Sequence, residues 1–300
     1  MGGSGLRAAG SAALLAAVAC TPPPALPTKT QAATDAWFDR ALDHSADTIA
    51  RVDLAATMDR GALRGAIIDV LLAVFDRALG GGPDLHRAVE AASEMTIAAA
   101  PAGDPLVILR DVPLALDPRS LPAADGGRQF TLANVGEYVE YNYSPLAGSL
   151  FVLRDGTWIV GAGHASQNVK NAFAAAPGAP VMPKRTPSPA VVTLWMPAAA
   201  LRAVATRERL KLLAPVFLRA TSLDGTLTTA DVAEAHLHYS TAEDCLEAHA
   251  TLVDVVRAFR NKNDPNSAWI GTATLAHDAL TVTATVTIPP DAFRAFVDAH

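Results

Sequence analysis

The chain has 300 residues, half of them hydrophobic, and carries 24 Lys and Arg against 30 Asp and Glu for a formal charge of −6. An acidic chain without basic runs gives no electrostatic footprint for nucleic acid. The length allows one large domain or two ordinary ones with true cores, two distant cysteines make no disulfide framework, and no stretch beyond the N-terminus is long enough to span a bilayer.

Residues 1–19 read as a signal peptide. A single Arg7 precedes an uncharged run from Ala8 to Ala19, which has the length of a secretory h-region and is too short to cross a membrane as a helix. The run ends in Ala17-Val18-Ala19-Cys20, which resembles the lipobox of bacterial lipoproteins, where small residues precede a cysteine that is acylated and becomes the new N-terminus; Ala17 stands where that pattern favours Leu. The resemblance implies lipidation of Cys20 and a membrane anchor in the cell envelope. Thr21 in place of Asp implies the outer membrane, facing the periplasm or the cell surface. Thiol chemistry points the same way, because acylation consumes a cysteine that would otherwise invite disulfides in an oxidising compartment. Each buried lipid methylene adds about 0.8 kcal/mol. The same Ala17-Val18-Ala19 also fits the A-x-A box of ordinary signal peptidase, which would release a soluble protein beginning at Cys20, and an uncleaved tail is a third reading. The rest of the chain is similar in style to uncharacterised envelope lipoproteins of high-GC bacteria, a likeness that transfers no residue's role.

Residues 20–34 carry the cysteine and a Pro-rich tether, extended at about 3.1 Å per residue. A first helix is expected near Phe38, then a strand at about Thr48–Leu54. A helix from near Asp59 to Leu79 follows, stopped by Gly80-Gly81-Gly82. The spacing of Leu85, Val89, Ala92 and Met95 predicts another helix over Asp84–Ala99. "VGEYVEYNY" reads as a strand, and "GSLFVLRDGTWIVGAG" as a hairpin turned at Asp155-Gly156, a dipeptide suited to positive φ. "HASQNVKNAFAAAP" is a short helix.

Residues 177–189, rich in proline, separate a first half, 35–176, from a second, 190–300. In the second half a strand and helix are followed by a hairpin expected at Asp224-Gly225, an amphipathic helix over "TAEDCLEAHATLVDVVRAFRNKN", and a strand in which Leu280, Val282, Ala284, Val286 and Ile288 alternate with four threonines. The order of elements recurs between the halves. The expected fold class is α+β: two similar halves, each an antiparallel sheet with helices packed on one face.

Three constellations invite chemistry. His236 and His238, two apart on a strand, project to one face, which is how two imidazoles share an ion; Leu237 facing inward puts both on the solvent side, so they are candidates and not an assigned metal site. Glu243, Cys245 and His249 follow on the amphipathic helix, with Cys245 and His249 in its apolar stripe. Tyr138, Glu140 and Tyr141 lie in an aromatic, amphiphilic strand that is the most ligand-like surface in the chain, Tyr138 and Glu140 sharing one face and Glu137, Val139 and Tyr141 the other. "GAGHASQN" lacks the third glycine and the lysine of a phosphate loop, its His164 and Ser166 are too close in sequence to face one another, and Asp53 and Asp111 stand isolated. No constellation calls for a cofactor. The expected role is non-enzymatic binding or assembly, with the membrane and an envelope protein as partners; the alternatives are a carrier of an apolar small molecule and a hydrolase or metal-binding protein using His236 and His238.

Overall fold

Strands form where β-branched and aromatic residues run at period two, and helices where alanine-rich segments keep an apolar stripe. The computed structural model describes residues 48–58, 61, 63–65, 67–69, 72, 79, 84–99, 103–122, 130–135, 138–143, 148–153, 155–175, 190–206, 212–261, 267–289 and 292. The signal peptide, Cys20, the tether, the helix expected near Phe38, Gly80–Gly82, Glu137 and residues 177–189 lie outside them. Among the described residues no helix is long and apolar enough to cross a membrane.

The strands are β1 (Thr48–Asp53), β2 (Glu94–Ala99), β3 (Leu106–Arg110), β4 (Phe130–Asn134), β5 (Tyr138–Tyr143), β6 (Gly148–Leu153), β7 (Trp158–Ala162), β8 (Ala190–Pro197), β9 (Ala220–Thr228), β10 (Val232–Tyr239), β11 (Thr274–His277) and β12 (Thr281–Thr287). The helices are α1 (His86–Ala91), α2 (Gly163–Ala175), α3 (Ala198–Ala205), α4 (Ala214–Arg219) and α5 (Ala242–Arg260). All twelve strands belong to one sheet, in the order β11-β12-β10-β9-β8-β1-β2-β3-β7-β6-β5-β4. This corrects the expectation of two halves that each carry their own sheet with helices on one face. Periodicity along a chain reports which residues are extended and which face is dry, but not what pairs with the backbone at a strand's edge.

The chain divides into two compact units, one of Arg51–Pro187 and one of Ser45–Ala50 with Ser188–His300. In the first, β2, β3, β7, β6, β5 and β4 pair antiparallel in that order. Val107, Leu109, Leu150, Trp158 and Val160 are buried on one face of these strands, Ile108, Phe151 and Ile159 on the other, the signature of strands covered on both sides. All described residues between 61 and 79 are helical, and Arg64 holds that segment by donating to the Leu54 carbonyl (2.9 Å) and the Glu90 carbonyl (2.9 Å). The hairpin at Asp155-Gly156 forms as its sequence indicates, with Gly156 at φ +86°.

The helix expected over Asp84–Ala99 is shorter. It ends at Ala91, Ala92 is extended, and Glu94–Ala99 becomes β2, paired with β3 from Glu94↔Arg110 to Ala98↔Leu106. The residues that continue the helical spacing, Met95 and Thr96, are instead buried on opposite faces of a strand. An apolar run this short fits either period, and pairing decides.

In the second unit β11, β12, β10, β9 and β8 pair antiparallel in that order. Leu194, Leu223, Leu237 and Val282 from the strands meet Leu201, Val216, Phe217, Cys245 and Ala248 from α3, α4 and α5 in one core. Helix α5 starts at Thr241, whose Oγ1 accepts from the Asp244 backbone N–H (3.1 Å). The hairpin expected at Asp224-Gly225 lies elsewhere: β9 continues through both residues, and the chain turns at Thr229–Asp231, with Asp231 at φ 59°. Asp-Gly permits a turn without requiring one, and ladders on both sides hold these residues extended. In β12 Val282 is buried as the alternation predicts, whereas Ala284 and Val286 are half-buried like the threonines between them.

Candidate functional site

The alternation of β9 and β10 sorts their residues by face. Leu223 and Leu237 pair across the ladder on the side of the helices. The opposite face therefore collects Ser222, Asp224 and Thr226 from β9, Glu234, His236 and His238 from β10, and Thr281, Thr283 and Thr285 from β12. His236 stands directly across from Asp224 on one side and Thr283 on the other, while His238 stands between Ser222 and Thr281. Trp195 of β8 pairs with Asp224 on its far side.

These side chains form two parallel chains of hydrogen bonds. His238 Nε2 lies 3.1 Å from Asp224 Oδ1, and His238 Nδ1 lies 3.3 Å from Thr281 Oγ1. His236 Nε2 lies 2.9 Å from Glu234 Oε1, and His236 Nδ1 lies 3.2 Å from Thr283 Oγ1. Each imidazole thus presents Nε2 to a carboxylate and Nδ1 to a threonine hydroxyl. Asp224 is buried, at 7% exposure. The histidine side chains are half-buried, at 23% and 38%. The hydrogen bond to Asp224 holds the His238 pKa above its ordinary value against the opposing effect of burial, with the Asp224 and Asp278 charges adding to the rise. A register shift between His238 and Tyr239 bulges the ladder beside His238, and the extra residue, Thr221, donates from Oγ1 to the His238 carbonyl (3.0 Å).

No family model, no curated protein and no solved structure matches the chain. The side chains themselves therefore carry the functional reading.

The sequence places His236 and His238 on one face, and the structure agrees. It omits Asp224, which the turn expected at Asp224-Gly225 takes out of the strand. A signal was present: from Ser222 to Thr228 polar and apolar residues alternate, with Gly225 at an apolar position, and that period would have set Asp224 on the histidine face. As placed, no three His, Cys, Asp or Glu side chains among the described residues are grouped so as to hold a metal ion.

The other candidates are committed to the interior. Tyr138 and Glu140 do share one face of β5 and Tyr141 the other, but all three are buried. Tyr138 packs edge-on to Phe151 (centroids 5.4 Å apart) and against Phe173 of α2 (4.4 Å). Glu140 accepts from Ser149 Oγ (2.9 Å) and pairs with Lys170 Nζ (2.6 Å). Tyr141 and Tyr143 flank Phe130 at 5.3 and 5.7 Å; burial pushes both phenols up, and the Tyr143 hydroxyl has no hydrogen-bond partner among the described residues. What reads as an amphiphilic surface in sequence is a buried inner strand, next to the edge strand β4, whose Glu140 carboxylate is satisfied by Ser149 and Lys170.

Cys245 is fully buried, burial raises its thiol pKa, and its Sγ lies 3.5 Å from the Asp278 carbonyl. His249 is half-buried, its ring 4.6 Å from that of His277, and burial with the neighbouring imidazole lowers its pKa. Glu243 is exposed in the first turn of α5. In "GAGHASQN" Gly163 takes φ +46° and the Asp104 carboxylate accepts from the His164 N–H (3.0 Å), so a side chain caps α2 where a phosphate would have to sit. His164 is exposed and Ser166 buried.

Proposed function

We propose that this protein is a lipid-anchored protein of the bacterial cell envelope that acts by binding or assembly. The observation that carries the reading is Cys20, placed after Ala17-Val18-Ala19 at the end of an uncharged run and before three consecutive prolines. Small residues before a cysteine admit a processing enzyme, acylation holds the product at a bilayer, and the prolines keep the folded part at a distance. Thr21 favours the outer membrane. Binding is favoured over catalysis because the buried acids Glu140 and Asp224 are each engaged with a neighbouring base, and the buried Asp53 accepts from the Ala56 N–H (2.9 Å).

Replacing Cys20 with Ala and fractionating cells expressing the full chain tests the anchor. The expected outcome is a shift from the membrane to the soluble envelope fraction, with loss of incorporated fatty acid. Unchanged membrane partitioning would overturn it, as would a wild-type protein that is soluble and unacylated, the result of ordinary cleavage before Cys20.

A further inference from the structure

We propose that the outward face of α5 is a self-association surface, on which a second copy of this chain docks its own α5 antiparallel about a two-fold axis at Ala250. The inference gives the assembly reading a partner and does not rest on the anchor, so the Cys20 experiment and the one below can fail separately.

Three observations carry it. The first is spacing. Helix α5 buries Cys245, Ala248, Val256 and Phe259 on its inward side. A second row, Glu243, Leu246, Ala250, Val253 and Arg257, recurs at alternating steps of three and four residues, which keeps it on one face. Leu246 is 53% exposed, Ala250 is exposed and Val253 is half-buried. The outward row of a helix whose inward stripe already fills a core is where charged residues belong, and the middle of this one is apolar.

The second is charge. The row is acidic at its N-terminal end and basic at its C-terminal end: Glu243 lies in the first turn and Arg257 in the last, and both are exposed. Ala250 stands midway between them in the sequence. A two-fold axis there brings Glu243 of each copy level with Arg257 of the other. Between these two ion pairs, Leu246 of each copy lies against Val253 of the other. The two Ala250 methyl groups meet at the axis, where their size lets the helices approach to about 8 Å. A parallel pairing would instead set Glu243 on Glu243 and Arg257 on Arg257.

The third is the flank. Glu247 and Asp254 stand beside the row and would repel their symmetry mates if bare. Glu247 pairs with Arg219 of α4, and Asp254 pairs with Arg257 (3.0 Å). The flanking charges are thus offset within each copy, and Arg257 sits between Asp254 of its own chain and the incoming Glu243.

From Glu243 to Arg257 the contact runs about 21 Å, at about 1.5 Å per residue. One helix pair of that length falls at or below the roughly 1,200 Å² at which stable specific interfaces begin, so the expected Kd is roughly 10 to 500 μM.

The test is sedimentation velocity of the purified chain carrying Cys20→Ala, which removes acylation and cross-linking through that thiol. Dimer is expected to grow with concentration up to about 1 mM, and to weaken severalfold between about 0.05 and about 0.5 M NaCl. Glu243→Arg and Arg257→Glu, each added singly, place like charges at both ends of the pairing and are expected to weaken self-association about tenfold or more. Mixed one to one, they restore both ion pairs, because one copy then carries arginine at both positions and the other glutamate at both. A heterodimer of parental strength is expected, and its formation shows that both variants are folded. A monomer at every concentration overturns the proposal. Single variants that self-associate like the parent also overturn it, since the contact would lie elsewhere, as does a mixture that stays monomeric.

Discussion

Glu140 of β5 meets Lys170 of α2 at 2.6 Å, with the carboxylate only 5% exposed and the ammonium half-exposed at the rim. The pair ties a helix to an inner strand of the first unit through a charge that could not stay buried alone. Its energetics are asymmetric, because an orphaned buried carboxylate costs more than the pair contributes.

Removing the lysine is therefore expected to be worse than neutralising the acid. Lys170→Met should cost about 3 kcal/mol in urea unfolding, while Lys170→Met combined with Glu140→Gln should recover part of that loss, since the amide still accepts from Ser149. A double variant less stable than Lys170→Met would show that the charge of Glu140 was not the cost.

Gly156 is required twice over. It lies at φ +86°, and a Cβ there would stand 2.6 Å from the Val112 carbonyl oxygen, beside the 3.0 Å bond that the Val112 N–H donates to the Gly156 carbonyl. Gly156→Ala is expected to lower stability by about 1–3 kcal/mol through strain and backbone displacement. Thermal unfolding checks this, with Gly61→Ala as the control, because nothing stands within 4 Å of a Cβ at Gly61.

The bond between His238 and Asp224 makes stability depend on pH in a defined direction. The folded-state pKa of His238 is raised above its unfolded value near 6.5, so its contribution is complete below that value and is lost as pH rises through the folded pKa. The stability difference between wild type and Asp224→Asn should accordingly be larger at pH 5.5 than at pH 8.5. Discounted for solvent screening of a partly exposed histidine, the change should be no more than about 1 kcal/mol. Chemical denaturation at the two pH values in a chelator-containing buffer measures it, and a difference that grows with pH would contradict the sign.

Thr241 caps α5 through the Asp244 N–H at 3.1 Å and donates from Oγ1 to the Asp244 carboxylate at 2.6 Å. Thr241→Ala should cost about 1 kcal/mol, and Thr241→Ser much less, because serine retains the accepting oxygen. Because α5 supplies Cys245 and Ala248 to the second unit's core, hydrogen exchange in that helix should report the loss.

Much of the local structure is legible in the chain. The extended runs at Thr48–Asp53, Tyr138–Tyr143 and Thr281–Thr287, the turn at Asp155-Gly156 and the helix over Ala242–Arg260 follow from period, propensity and caps, all properties of neighbouring residues. Short ambiguous runs are where such a reading fails. Residues 94–99 continue a helical spacing and yet pair with β3, and Asp224-Gly225 is turn chemistry held straight by two ladders.

The same division runs through the candidate site. That His236 and His238 share a face follows from their spacing alone, since side chains alternate along any strand. That Asp224 completes the group depends on the register between β9 and β10, which no single strand encodes. Tyr138, Glu140 and Tyr141 carry the opposite lesson: their alternation is correct, and only packing on both faces of β5 shows that none of them meets solvent. By itself the amino-acid sequence determined the periodicities, the turn at Gly156 and the two-histidine face. The tertiary structure decided which strands adjoin, which polar groups are buried and which carboxylate meets which imidazole, because those depend on contacts between segments far apart in the chain.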